Sequence, residues 1–538
     1  MKRKLITSLI LALILVFTAI PVAALSDSIT VEDPVKNVIV LIPDGMPIDA
    51  VTLARWMQDG EPLAMDEIAS GMMRTYSADA PVADSAPAAT AMATGFKSHT
   101  GFVGVLADEN TMPGQEPLAE KDVRRPVATV LEAARLMGKS TGLISTSEIM
   151  HATPAAFSAH VPDRKNYDWI SEQQVHQGID VILGSGRNFF SADHREDSKD
   201  MIAVIEENYK YVTTPADMAK VTEGKVFGLF GDTALAYDMD RDPELEPSIS
   251  EMTEKAIELL SQNEKGFFLM VEGSKVDWAA HANDPIGLIS DVLAFDAAVK
   301  VALDFAKEEG NTLVIAATDH ANSGITIGSK DTSYDYDKRT LNEFLDALKK
   351  ATLTGEGLAL HFDEERSNIE EVVADYFGIE DLTEEEIELI KETDLTAMNY
   401  AVGPMIAGRA LIGFTTNGHT GGDVTLYCYA PENLTRLTGV IDNTDMAKYV
   451  ELAMGANLAE VTDRLFVRAA EALEEKGGSA EFDEAEGAIV LKNGDKEVTI
   501  KVNTNLAVVG DETIELPGVA VYSGDQIYVS QEALDLLD

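Results

Sequence analysis

Three apolar runs constrain this chain most: residues 38–42, 267–271 and 312–317. Each is apolar almost throughout rather than at alternate positions, and each leads within two residues to an acid, Asp44, Glu272 and Asp319 respectively. A strand without alternation has to be covered on both faces, which is the situation of a parallel sheet between helical layers. Residues 141–144 and 181–183 have the same character. Between such runs the spacing turns helical. In 127–138, apolar residues fall at Val127, Val130, Leu131, Ala134 and Leu136, and Gly138 supplies a stop. Residues 253–260 and about 286–306 read as further helices. The alternation predicts an α/β fold, a large mainly parallel sheet flanked by helices on both faces. Ligands of open α/β sheets collect at the carboxyl ends of strands, so the three acids are expected to converge.

The rest of the chain is organised around that sheet. From 334 to about 398 the sequence is charged and helical, an expected helical insertion decorating the sheet. A strand signal returns at 424–429, a helix at 442–454, and a last helix ends at Lys476 before Gly477-Gly478-Ser479. Beyond it, 488–491, 497–502, 506–509 and 526–529 read as short strands between Gly, Asn and Asp turns. Residues 480–538 are therefore expected to be a small, separate, mostly β module. At the other end, Lys2, Arg3 and Lys4 precede an apolar stretch to Ile20, then Pro21 and small residues to Ala24. This pattern reads as a signal peptide over 1–24, leaving 25–476 as the main domain and placing the protein in a secreted, periplasmic or cell-surface setting. An uncleaved anchor is the other reading, although the run is short of the roughly 20 residues of a span.

Charge and cysteine narrow the function. With 42 basic and 92 acidic residues the formal charge is −50, which opposes binding to nucleic acid and to anionic lipid. An anionic substrate would need its site to reverse that sign locally. The single Cys428 excludes an intrachain disulfide, and its apolar neighbours suggest a buried thiol.

Several histidines accompany the strand-end acids. Asp277 and His281 lie four apart, on one face if helical. Asp319 and His320 are adjacent, and His419 sits in the glycine-rich string Thr416 to Gly422. Each histidine alone is as readily structural as chemical; together with acids, such a set suits zinc, and the carboxylates also suit magnesium. A last element is Asp84-Ser85-Ala86-Pro87 followed by an Ala-rich body. Asp84 can cap that helix, placing Ser85 at its N-terminus, where the dipole favours an anionic oxygen. From geometry alone this could equally be an ordinary capped helix.

The whole string Asp84-Ser85-Ala86 through Thr90-Ala91-Met92-Ala93-Thr94-Gly95 resembles the nucleophile signature of the alkaline phosphatase family. Other blocks similar to that family follow in order across roughly 36–455. They are Pro43-Asp44-Gly45, Ala152-Thr153-Pro154, His160 to Arg164, Glu272 to Asp277 with His281, Asp319-His320, and Gly418-His419-Thr420-Gly421-Gly422. The resemblance implies hydrolysis of phosphate monoesters through a phosphoserine intermediate on Ser85, at a site of two zinc ions and one magnesium. It implies that Asp277, His281 and His419 hold the zinc that generates hydroxide, and that Asp44, Asp319 and His320 hold the zinc that activates Ser85. Asp44 would bridge to the magnesium, which Thr153 and Glu272 also ligate. Arg164, oriented by Asp84, would clamp the phosphate. Small phosphomonoesters are the implied partners, and a homodimer the implied assembly. The chain departs from members with a tightly held third metal at His151 and Trp278, where Asp and Lys often stand. His151 could reach the phosphate through an intervening group, ligate the third metal, or fill space behind the ligands, and the last is the expected role for both residues.

Three rivals remain. A sulfatase requires an Arg four residues after its nucleophile, where this chain has Ala89. A related phosphodiesterase would usually lack Thr153 and Glu272. A binding protein that merely keeps the fold would have no need of the full ligand set.

Overall fold

The computed structural model describes residues 29–538, so the expected signal peptide, 1–24, lies outside the described residues. Ten strands form one sheet. They are β1 (Asn37–Pro43), β2 (Ala69–Arg74), β3 (Ser140–Glu148), β4 (Val181–Ser185), β5 (Lys210–Val212), β6 (Val226–Leu229), β7 (Phe267–Gly273), β8 (Thr312–Ala317), β9 (Val424–Tyr429) and β10 (Gly439–Asp442). Their order is β10-β2-β9-β8-β1-β7-β3-β4-β6-β5. From β8 to β5 all neighbours are parallel; β9 runs antiparallel to both β8 and β2, and β10 parallel to β2.

The unbroken apolar runs have a direct cause. Along β1, Val38, Val40 and Ile42 enter the core on one face of the sheet, while Ile39 and Leu41 enter the core on the other. β7 divides in the same way, Phe268 and Met270 to one face and Phe267, Leu269 and Val271 to the other. Five helices matter below: α1 (Ser85–Thr94), α2 (Ala152–Ser158), α3 (Lys275–His281), α4 (Pro285–Glu309) and α5 (Met398–Arg409). The helix expected over 127–138 is shorter, Val130–Leu136. Thr129 and Glu132 form a capping box that fixes its start, which leaves Val127 outside.

The insertion is helical, and it is more than decoration. Leu345, Leu358, Ile369, Val373, Phe377 and Ile390 are buried and extend the core beneath it. At the C-terminus, strands from Ser479 to Glu515 form a five-stranded antiparallel sheet. A second small sheet joins Val521–Ser523 and Gln526–Val529 to Val467–Arg468, which precedes the Gly477-Gly478-Ser479 break. The β module has its own core, with Ile489, Leu491, Val498 and Ile500. It also packs onto the larger domain: Phe466, Val519, Val521 and Tyr528 form one cluster with Ala128. Gln173 Nε2 donates to Asn503 Oδ1 at 2.9 Å. Cys428 is buried, its sulfur 4.0 Å from the Tyr449 hydroxyl. Among the described residues no helix is long and apolar enough to cross a membrane.

Candidate active site

The three strand-end acids meet because their strands are adjacent. β1 lies between β8 and β7, and its register sets Leu41 beside Ala316 and Ile42 beside Glu272. Asp44, Glu272 and Asp319 thus leave the sheet side by side, all fully buried. The turn after β1 needs its glycine: Gly45 has φ +62°, and a Cβ there would collide with Asp277. Its N–H instead donates to Asp319 Oδ1 at 3.1 Å.

Helix α3 presents Asp277 and His281 together, Oδ2 to Nε2 at 3.2 Å. Asn322 Nδ2 donates to the other Asp277 oxygen at 2.6 Å. His320 Nε2 lies 3.3 Å from Asp319 Oδ2, 3.5 Å from Asp44 Oδ1 and 3.2 Å from Ser85 Oγ. His419 stacks on His320 with ring centres 3.6 Å apart, and its Nε2 is 3.2 Å from His281 Nε2 and 3.7 Å from Asp277 Oδ1.

Ser85 is the first residue of α1. Asp84 caps the helix by accepting from Ala86 N–H at 3.3 Å, and the same oxygen accepts from Gly101 N–H at 3.2 Å. Its second oxygen accepts from Arg164 Nη1, while Arg164 Nη2 approaches His151 Nε2 at 3.2 Å. Every residue of α1 is buried, and it packs closely on α2 and on Asn443–Met454. An alanine-rich body allows that approach. Thr153 is in the first turn of α2, buried beneath the site.

The electrostatics are unusual for an interior. Burial, followed by the charges of Asp319, Asp277 and Glu272, holds the Asp44 carboxyl well above its ordinary acidity range. Burial also pushes Glu272 up to about 7, although Ser145 and Ser274 hydrogen bonds oppose the shift. Burial works against an ionised Asp277 too, but His281 and His320 outweigh it and draw its value down. His151 is driven down to about 3 by burial and by Arg164, so it is neutral. Burial opposes the Arg164 charge; Asp84 and Asp44 overcome it and raise the guanidinium.

Buried polar atoms normally find partners. Here both oxygens of Asp44, Asp319 Oδ2, Glu272 Oε1, Thr153 Oγ1, His320 Nδ1 and His151 Nδ1 have none. Donor atoms fall into three close groups, each within 4.8 Å: Asp44 with Asp319 and His320, Asp277 with His320 and His419, and Asp44 with His151 and Glu272. The carboxylate and hydroxyl oxygens crowded there keep unspent lone pairs, and together with the imidazoles of His320 and His419 they fit divalent cations.

The structure therefore brings together every site residue expected from the sequence: Ser85, Asp84, Arg164, Asp44, Thr153, Glu272, Asp277, His281, Asp319, His320 and His419, with His151 and Trp278 beside them. A cavity of about 550 Å³ opens over Ser85 and Arg164, and its lining adds residues the sequence did not single out, Tyr237, Glu356, Thr396, Asn399 and Tyr400. Four of these five come from the insertion or from α5, where charged and helical texture gave no sign of a site.

Against known proteins, residues 35–456 match the model of the family described as alkaline phosphatase. Residues 447–535 match the model of the copper amine oxidase N-terminal domain. Alkaline phosphatase 3 of Bacillus subtilis is 37% identical over 447 residues, covering 79% of this chain and 90% of that protein. The crystal structure of Thermus thermophilus alkaline phosphatase superposes with a TM-score of 0.70 at 25% identity, covering 82% of this chain and 96% of that one. A variant of TAB5 alkaline phosphatase with Mg bound in its M3 site gives 0.56 at 25% identity, covering 79% and 99%.

Proposed function

The chain belongs to the alkaline phosphatase family and is a phosphoric monoester hydrolase; from that premise we propose that it works through a phosphoserine on Ser85, at a site of two zinc ions and one magnesium. The observation carrying the finer reading is the set of unpartnered buried donors around Asp44. Asp44, Asp319 and His320 would hold one zinc, and Asp277, His281 and His419 the other. Asp44, Glu272 and Thr153 supply oxygen donors for magnesium, the ion bound in the M3 site of the TAB5 variant. When bound, these cations supply Lewis acidity toward the entering and leaving oxygens of the displacement.

The chain's own residues do the rest. Arg164 pairs its guanidinium with phosphate oxygens, and Asp84 and His151 fix its orientation. The N-terminus of α1 favours the developing negative charge at Ser85. Ser85 Oγ gives up its proton to solvent and attacks phosphorus. The Oγ–P bond forms as the ester P–O bond breaks, and the departing alkoxide takes a proton from solvent to leave as the alcohol. Water then attacks phosphorus, freeing inorganic phosphate and restoring the serine hydroxyl.

His151 has two claimants on one lone pair. Arg164 only donates, so a neutral His151 facing it through Nε2 accepts there and carries its proton on Nδ1. A ring in that tautomer has no free pair for a metal. We assign His151 to holding Arg164 rather than to the third ion, with Trp278 packed edge-on to it at 6.0 Å between ring centres.

Acid quenching during turnover of labelled phosphomonoester tests the intermediate. Label is expected on the Ser85 peptide, and Ser85→Ala should lose it together with ~100-fold or more of the activity. Stoichiometric label on another residue, or near-normal turnover by the variant, would remove Ser85 from the role.

A further inference from the structure

We propose that Trp278 and Tyr400 form a leaving-group subsite that selects monoesters of planar, uncharged aromatic alcohols; this rests on the phosphomonoesterase reading above. Phosphate bound by Ser85 and Arg164 occupies only the floor of the 550 Å³ cavity, and the alcohol must lie in its outer part. Three aromatic residues line the cavity: the almost fully buried Tyr237, the half-buried Trp278 and the exposed Tyr400.

Two of the three rings are held in place. Lys275 is almost fully buried, and its ammonium lies 4.5 Å from the ring centres of both Tyr237 and Trp278. A cation against an aromatic face is attractive, more so when desolvated. Glu356, from the insertion, reaches that ammonium at 3.2 Å and closes the arrangement. The indole is thus fixed before substrate arrives, which lowers the ordering cost of binding. Tyr400, on α5, is the open partner: the residue is 52% exposed and lines the cavity, so it gains most by covering a flat group.

Charge sets the other half of the selection. Glu356 lines the cavity with the −50 charge of the whole chain behind it. Among the described lining residues the one Lys or Arg is Arg164, which is committed to the phosphate. The Lys275 ammonium against Tyr237 and Trp278 is already paired with Glu356. An alcohol that carries phosphates or carboxylates of its own meets repulsion there, whereas a neutral ring meets an aromatic surface.

Inhibition constants of phenylphosphonate and methylphosphonate test this in the metal-loaded enzyme, because neither has an ester leaving group and reactivity does not enter. In wild type the phenyl compound should bind about tenfold more tightly than the methyl one. Tyr400→Ala should lower that ratio about fivefold and Tyr400→Phe should keep it. A ratio near one in wild type, or a ratio unchanged by Tyr400→Ala, overturns the subsite. Failure of the phosphatase reading shows differently, as no hydrolysis of either phenyl or methyl phosphate.

Discussion

Two carboxylate–imidazole groupings lie in this molecule at the same depth. Glu132 with His160 and Asp319 with His320 all have side chains without exposed surface, and the paired atoms are 3.0 and 3.3 Å apart. Around Glu132 both carboxylate oxygens and both ring nitrogens of His160 have a partner. Oε1 takes hydrogen bonds from His160 Nε2 and from Gln177 Nε2 at 2.9 Å, Oε2 takes one from Thr129 N–H at 2.9 Å, and His160 Nδ1 faces Gly104 O at 2.7 Å. Around Asp319 and its neighbour Asp44, oxygens and ring nitrogens go unclaimed. The acidities follow. Burial opposes the ionised Glu132, yet His160, Thr129 and Gln177 together hold its carboxyl below the ordinary value, whereas Asp44 and Glu272 are pushed up. Burial of an acid beside a histidine does not mark a metal centre. Several unclaimed acids and imidazoles crowded within 4.8 Å of one another do, whereas single unclaimed atoms such as Gln177 Oε1 and Asp284 Oδ2 lie elsewhere in the fold.

The sharpest contrast comes from neutralising one acid in each grouping. Asp44→Asn should cost ~100-fold or more in activity, since it supplies donors to two of the three groups. In chelated protein the same change should raise the melting temperature, by relieving repulsion from Asp319, Asp277 and Glu272. Thermal unfolding with and without chelator checks both signs, and a destabilised apo variant would erase the distinction drawn here.

Glu132→Ala should do the reverse. Breaking a fully paired buried grouping costs about 3–5 kcal/mol, so denaturant unfolding should shift strongly while the metal content of the folded fraction is unchanged. Loss of metal from folded protein would make this grouping part of the centre.

A smaller effect separates the two by pH. The folded value of Glu132 lies below 4.5, so the unfolded chain binds the proton more tightly. Its contribution is present above about pH 4.5 and is lost as pH falls through the folded value. Glu132→Gln should therefore flatten the acid limb of stability relative to wild type. An equal slope in the two proteins would show that Glu132 gains nothing from its partners.

Much of the centre was legible in the residues because parallel strands advertise themselves. β1, β7 and β8 are apolar on both faces and end in acids, and adjacency in the sheet then does the converging. β2 was not legible: Ala69, Met72 and Arg74 are exposed and only Met73 is buried, so it carries no apolar run. β10 hides for a like reason, with Gly439 and Val440 exposed. The added lining was opaque for another cause. Glu356 and Tyr400 reach the site only through the docking of the insertion and of α5 on the sheet, and no local spacing encodes that docking. The pairing of Val467–Arg468 with Gln526–Val529 is equally non-local, since it spans the Gly477-Gly478-Ser479 break.

Metal reconstitution tests the central claim most directly. Protein stripped with a chelator should have no turnover of p-nitrophenyl phosphate, and added zinc, with magnesium present, should restore it in step with binding of about two zinc ions per chain. Full turnover by metal-free protein, or zinc binding that leaves turnover unchanged, would contradict the assignment of the unpartnered acids and imidazoles around Asp44 to a catalytic metal centre.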